Sequence, residues 1–337
     1  MSQSDKSESS FRVPDPHAQE YLRRNKGITL APTTIKTYDS HLTEYVHFLD
    51  SRDKTVLGAD FSEVREFAEK CVRHGNRQST IEGKLSTVAE LYRYIQLRTD
   101  VSQKLTLDPL EFRDIDVSRY RTPEPIERVA LSREEIRRLF DAFDSYRNRL
   151  IATIAVETGL RNSDLRNIQI QDIDLNKSSI HVPNPKNSDP YDVPISDDLV
   201  FELDQWMRCH RKGFAAAQES NYVFPSHSGI KIETNSGLNK IITEAAKEAG
   251  IQDIIGKSHM TSVQKQAFNT DQEFRQWRRV TVHTLRHSFI TLLEDAGVSL
   301  PYRQLVANHS NAETTRRYSH GSEDIFETIR EQFNPPR

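Results

Sequence analysis

Cysteine is nearly absent. Cys71 and Cys209 are the only two in 337 residues, too few for a disulfide framework and without the spacing of a metal site. A reducing cytoplasmic interior is therefore the expected setting. Long apolar runs are also missing. None approaches the roughly 20 residues needed to span a bilayer, which excludes a membrane-embedded protein. Met1 to Ser10 is serine-rich with no apolar stretch, which excludes a secretory signal and predicts a short disordered tail over residues 1–16. There is no internal repeat. Nor is there an excess of charge of one sign: 46 Lys+Arg face 49 Asp+Glu, a net charge of −3. Residues 1–130 carry −1 and residues 131–337 carry −2. That balance speaks against a polyanionic partner unless positive charge is concentrated locally.

Fifteen Phe, eleven Tyr and two Trp supply material for a core and argue against disorder. The length favours two domains. From Thr33, the residues Ile35, Tyr38, Leu42, Tyr45, Val46 and Leu49 recur at helical spacing. A second stripe runs through Phe61, Val64, Phe67, Ala68, Cys71 and Val72, with Asp60 or Ser62 as cap and an end near Gly75. A third runs through Ile81, Leu85, Val88, Leu91, Tyr92 and Ile95. These predict a helical domain over residues 17–108. Pro109, Pro123 and Pro125 then interrupt the pattern, which predicts a linker over 109–130. Ser132 and Glu135 form a capping box that opens a second domain over 131–337. Within it, Ile180 and Val182, then Val193 and Ile195, alternate around a turn-rich tip and predict a β-hairpin. Helices are expected around Leu199 to Arg211, Asn235 to Ala249 and from His283 onward, and Ile325, Phe326, Ile329 and Phe333 form a last apolar stripe.

The chemistry-bearing residues cluster late in the chain. His283 and His287 stand four apart, as in a zinc hydrolase pair, but Thr284 occupies the place of the general base and no third ligand is signalled. No metal or cofactor is expected. His283 and Arg286, three apart, would share a helix face able to hold a phosphate. Two guanidiniums suit a phosphodiester, whose non-bridging oxygens gather charge in the transition state. Arg161, after the turn at Gly159, is the second candidate.

Taken in order, Gly159-Leu160-Arg161 with Asp164, Lys186 on the hairpin tip, His283-x-x-Arg286, His309 and Tyr318 closely resemble the tyrosine recombinase (phage-type integrase) family. The resemblance is detailed from Ser132 onward and looser over the helical domain, which looks like the SAM-like core-binding domain of these proteins. It implies a mainly α fold, with an α+β catalytic domain of the DNA breaking-rejoining type. It implies that Arg161 and Arg286 clamp the scissile phosphate beside His283. Lys186 would be the general acid, with Lys177 the alternative, and His309 would complete the cradle. Asp164 would orient its neighbours and Tyr318 would be the nucleophile. Asn308 departs from the family, where glycine commonly precedes the histidine. Tyr302, after Pro301, is read as structural. The implied partners are duplex DNA sites and a homotetramer on two synapsed sites, with a C-terminal helix docked in cis or exchanged between protomers. A type IB topoisomerase-like enzyme and an inactive DNA-binding regulator are the competing readings. Between Lys257 and Arg286, six cations against Asp271 and Glu273 leave an excess of +4 that would lie along DNA on one face.

Overall fold

The computed structural model describes residues 11–98, 100–127, 129–185, 189–227, 229–306, 327–329 and 331–336. The chain forms two compact units. One comprises the residues through Ile126 together with Gly256–Trp277, and the other comprises Glu127–Ile255 with Arg278 onward.

The first unit is built on four helices: α1 (Pro16–Asn25), α2 (Pro32–Asp50), α3 (Phe61–Arg73) and α4 (Gln78–Gln96). The three apolar stripes read from the sequence are buried in one core. Asp60 caps α3 by a reciprocal box: its carboxylate accepts from the Ser62 N–H at 2.8 Å while Glu63 accepts from the Asp60 N–H at 2.9 Å. The helix is followed by Gly75 at φ 70°, a conformation that costs glycine nothing. Helix α1 carries no long stripe, yet Ala18, Tyr21 and Leu22 are buried. Val13, within the expected tail, is also fully buried, with its N–H and that of Arg12 bonded to Asp39. The proline-rich stretch from Asp108 forms short 3₁₀ turns, since proline is compatible with a first helical position. Phe112 lies 5.9 Å from the Tyr92 ring and Val117 is buried, so much of the expected linker belongs to this core.

The second unit runs through α5 (Arg133–Asp141), α6 (Tyr146–Thr158), α7 (Asn162–Asn167), β1 (Ile173–Asp174), β2 (Ser179–Val182), β3 (Tyr191–Pro194), α8 (Asp197–Gln205) and α9 (Asn235–Glu248). After the excursion through β4 (Ile254–His259), α10 (Ser262–Phe268) and β5 (Phe274–Arg278), it is completed by α11 (Val282–Asp295) and α12 (Leu300–Val306). Helix α6 is buried on nearly every side and packs along α11. The Ser132 capping box opens α5. Strands β1-β2-β3 form an antiparallel sheet with Ile180 opposite Val193, and the apolar positions of β2 and β3 face the core. Ile329 and Phe333 join the same core, the Phe333 ring lying 5.8 Å from Phe289.

Candidate active site

Helix α6 ends at Gly159, at φ 60°. A Cβ there would come within 2.3 Å of the Phe289 ring of α11, so only glycine lets the α6–α7 turn press onto that helix. The turn delivers Arg161 as the residue capping α7. Its carbonyl accepts from the N–H groups of Asp164 and Leu165 at 2.9 and 3.0 Å. Arg286, one turn into α11, donates from Nη1 to the carbonyl of Gly159. Residues distant in sequence are thus joined by one buried bond, and Arg286 props the turn that carries Arg161.

The start of α11 is fixed from two sides. Thr281 and Thr284 cap each other, and the N–H of Val282 donates to Asn239 Oδ1 of α9 at 3.1 Å. His283 therefore sits in the first turn, exposed, at the positive end of a 14-residue helix. Arg286 is 7% exposed and Asp164 also 7%. Burial lowers the Arg286 pKa, and the like charge of Arg161 adds to the effect. Burial raises the Asp164 pKa, although a bond from Ser163 and the charges of Arg161 and Arg286 pull the other way. Asp164 Oδ2 is buried and accepts no hydrogen bond among the described residues. Two arginines stand beside one reluctant carboxyl in a place where charge is poorly screened. Such a place favours an anion with several oxygens.

Arg161, Asp164 and Arg286 are brought together, and His283 lies on the helix that carries Arg286. Lys186, His309 and Tyr318 lie outside the described residues, as do Asn308 and the first part of the last apolar stripe. Lys177 precedes β2, at the end of the ribbon away from the tip, with its ammonium 3.9 Å from Asp174. Tyr302 lies in α12. Tyr191 carries no signal in the sequence: it begins β3 with a buried hydroxyl and is among the groups whose charge acts on Arg286. Alternation marks the ribbon but not which of its residues approaches an arginine.

The basic stretch from Lys257 to Arg286 is divided between the two units. Arg279 pairs with Glu135 at 2.7 Å and donates to the Ile251 carbonyl, and Arg286 is buried in the site. Lys257, Lys265 and Arg275 belong to the other unit. The reason is local: a run of like charge in sequence is divided wherever the chain turns between a strand and a helix. Among the described residues no group of His, Cys, Asp and Glu could hold a metal ion, and no helix is long and apolar enough to cross a membrane.

Known proteins resemble the chain along nearly its whole length. Tyrosine recombinase XerC of Vibrio vulnificus (strain YJ016) is 27% identical over 332 residues, covering 97% of this chain and 92% of its own length. Tyrosine recombinase XerD of Pasteurella multocida (strain Pm70) is 21% identical over 314 residues, 91% of this chain and 93% of its own. The Tn1549 transposon integrase, in complex with transposon right end DNA, superposes with a TM-score of 0.63 at 18% identity, covering 94% of this chain and 98% of that one. The XerH site-specific recombinase bound to difH substrate gives 0.59 at 17% identity, over 96% and 90%. At those identities the two structures speak for the fold alone. Residues 19–98 match the phage integrase N-terminal SAM-like domain. Residues 130–324, more than half of the chain and the part that holds Arg161, Asp164, His283 and Arg286, match the phage integrase family. The chain belongs to the phage integrase family, that of the tyrosine recombinases.

Proposed function

We propose that the chain, a DNA strand transferase, is a site-specific recombinase that integrates and excises a viral or mobile element through a 3′-phosphotyrosyl intermediate at Tyr318. The observation that carries this reading is the buried meeting of Arg161 and Arg286 beside Asp164. The two guanidiniums hold the non-bridging oxygens of the scissile phosphate, and His283 contributes a hydrogen bond or moves a proton. A phenol of pKa about 10 is only about a thousandth ionised at neutral pH, a deficit near 4 kcal/mol that neighbouring cations offset. The Tyr318 oxygen bonds to phosphorus as the bond to the 5′-oxygen breaks, and Lys186 gives that oxygen a proton. His309 completes the cradle. The phosphodiester energy is kept in the tyrosyl link, so a 5′-hydroxyl from another strand reverses the step without ATP. Two such exchanges recombine two sites held by a tetramer. Ile329 and Phe333 lie in the core of their own chain, so exchanging the C-terminal segment between protomers would mean withdrawing them from it.

The full-length likeness to XerC and XerD favours a second reading, the resolution of chromosome or plasmid dimers. The DNA beside the gene separates them: an attachment site overlapping a tRNA gene indicates an integrase, and a chromosomal terminus site a resolvase. The chemistry is tested with a nicked suicide duplex. Wild-type protein traps covalent DNA and Tyr318→Phe does not. Covalent DNA on Tyr318→Phe would overturn the assignment.

A further inference from the structure

Segment Gly256–Trp277 leaves the catalytic chain and folds as part of the helical unit. Its β5 carries Trp277, whose indole N–H donates to Ser258 Oγ at 3.1 Å. Two guanidiniums lie over that one indole. Arg77, the residue preceding α4, has its Cζ 5.5 Å from the ring centroid, and Arg275, two residues back on β5, lies at 5.1 Å. Arg275 also lies over Phe268 at 5.8 Å, and Arg77 Nε donates to the Glu124 carbonyl at 3.1 Å. One indole thus gathers two guanidiniums, one from the start of α4 and one from β5.

The same unit holds a second ring with two cations, and the difference is informative. At Phe48, Arg52 and Lys70 lie 4.7 and 5.2 Å from the centroid. There Arg52 is neutralised by Glu66. At Trp277 neither guanidinium has a carboxylate within ion-pair distance among the described residues. Arg275 is exposed, and Arg77 is half-buried at the positive end of the 19-residue helix α4. Aromatic contact restrains both side chains in advance, and their planar forks match phosphate oxygens. An anion at this place would meet two guanidiniums, where at Phe48 a carboxylate already pairs with Arg52.

We infer that Arg77 and Arg275, clasped on Trp277, form a contact for the phosphate backbone of duplex DNA, made jointly by the helical bundle and the inserted segment. This rests on the DNA reading above and extends it to a surface of the helical unit. Such a contact is blind to sequence and releases counterions, so it is read from the salt dependence of binding to a duplex of arbitrary sequence. In a plot of log affinity against log salt, Arg77→Gln and Arg275→Gln should each make the slope shallower by about 0.9, and the double variant by about twice that. Arg275→Lys, which keeps the charge, should restore the wild-type slope. Arg24→Gln, which removes a cation already paired with Glu20, should leave it unchanged. Unaltered slopes in both glutamine variants, with covalent trapping of nicked DNA intact, would overturn the clasp and spare the proposed function. Wild-type protein with no affinity for duplex DNA would overturn both.

Discussion

Each unit of the molecule buries a long basic side chain almost completely, Lys84 at 4% exposure and Arg286 at 7%, and the surroundings treat them oppositely. Lys84 reaches Glu44 at 2.8 Å and Asn76 at 2.6 Å, with the Cys71 sulfur at 3.8 Å. An ammonium has three donors, and all three are directed at acceptors. Arg286 meets a neutral carbonyl, a second arginine and a carboxyl whose pKa burial has raised. The first arrangement is closed on itself and holds the bundle together. The second sets two guanidiniums beside a carboxyl whose charge burial disfavours, an arrangement suited to an anion. Burial of charge is thus no mark of function until the neighbours have been summed.

Replacing each cation by an apolar side chain of similar length gives the largest contrast. Lys84→Met strands the largely buried carboxylate of Glu44 and should destabilise the helical unit by about 3–5 kcal/mol in urea unfolding. Arg286→Met removes a desolvated charge crowded by Arg161 but also the bond to the buried Gly159 carbonyl, so it should cost less, about 1–3 kcal/mol. It should nonetheless lower covalent trapping of nicked DNA by about a hundredfold or more. Equal destabilisation by the two substitutions would mean that the two burials are alike.

A histidine beside Lys84 gives the next largest effect. His41 Nδ1 lies 2.9 Å from Thr87 Oγ1, and burial, reinforced by the Lys84 charge, pushes its pKa down to about 4. The folded form keeps this imidazole neutral while the unfolded chain takes up a proton near its ordinary value of 6.5. The contribution to stability is therefore complete above that value and lost as pH falls toward 4, about 3 kcal/mol in all. His41→Gln should flatten that part of the acid limb when unfolding free energy is followed from about pH 7 to pH 4. A limb as steep in the variant as in the wild type would place the proton uptake elsewhere.

The same contrast explains which parts of the molecule are legible in the order of its amino acids. Apolar periodicity reports burial of hydrocarbon, so the stripes of α2, α3 and α4, the Ser132 cap and the existence of the β2–β3 ribbon can be read from residue spacing, while its register, Ile180 opposite Val193, comes from the structure. The β4–β5 ribbon cannot. Its strands carry no fully buried residue, and much of what holds them is contact between rings and cations, invisible to a hydrophobic pattern. Helix α1 is ten residues long and escapes for want of repeats. The site is half legible. Residue type and order point to Arg161, Asp164 and Arg286, whereas nothing local in the sequence tells that Arg286 bonds to the Gly159 carbonyl or that Tyr191 stands by. Those depend on which turns meet in three dimensions.

The smallest effect tests the active-site side of the comparison, and its sign is opposite to that of His41. Burial raises the Asp164 pKa above its ordinary 3.8, so over the interval between the two values the folded state binds more protons than the unfolded chain. Stability from this group is greatest below 3.8 and declines as pH rises through the folded value. Asp164→Asn keeps the shape without the titration. The unfolding free energy of the wild type minus that of the variant should therefore fall with rising pH and level off once the folded carboxyl has ionised. A flat difference would mean that Arg161 and Arg286 already hold the carboxyl charged at its ordinary value. The carboxyl would then offset part of the charge of the two arginines, as Glu44 does for Lys84.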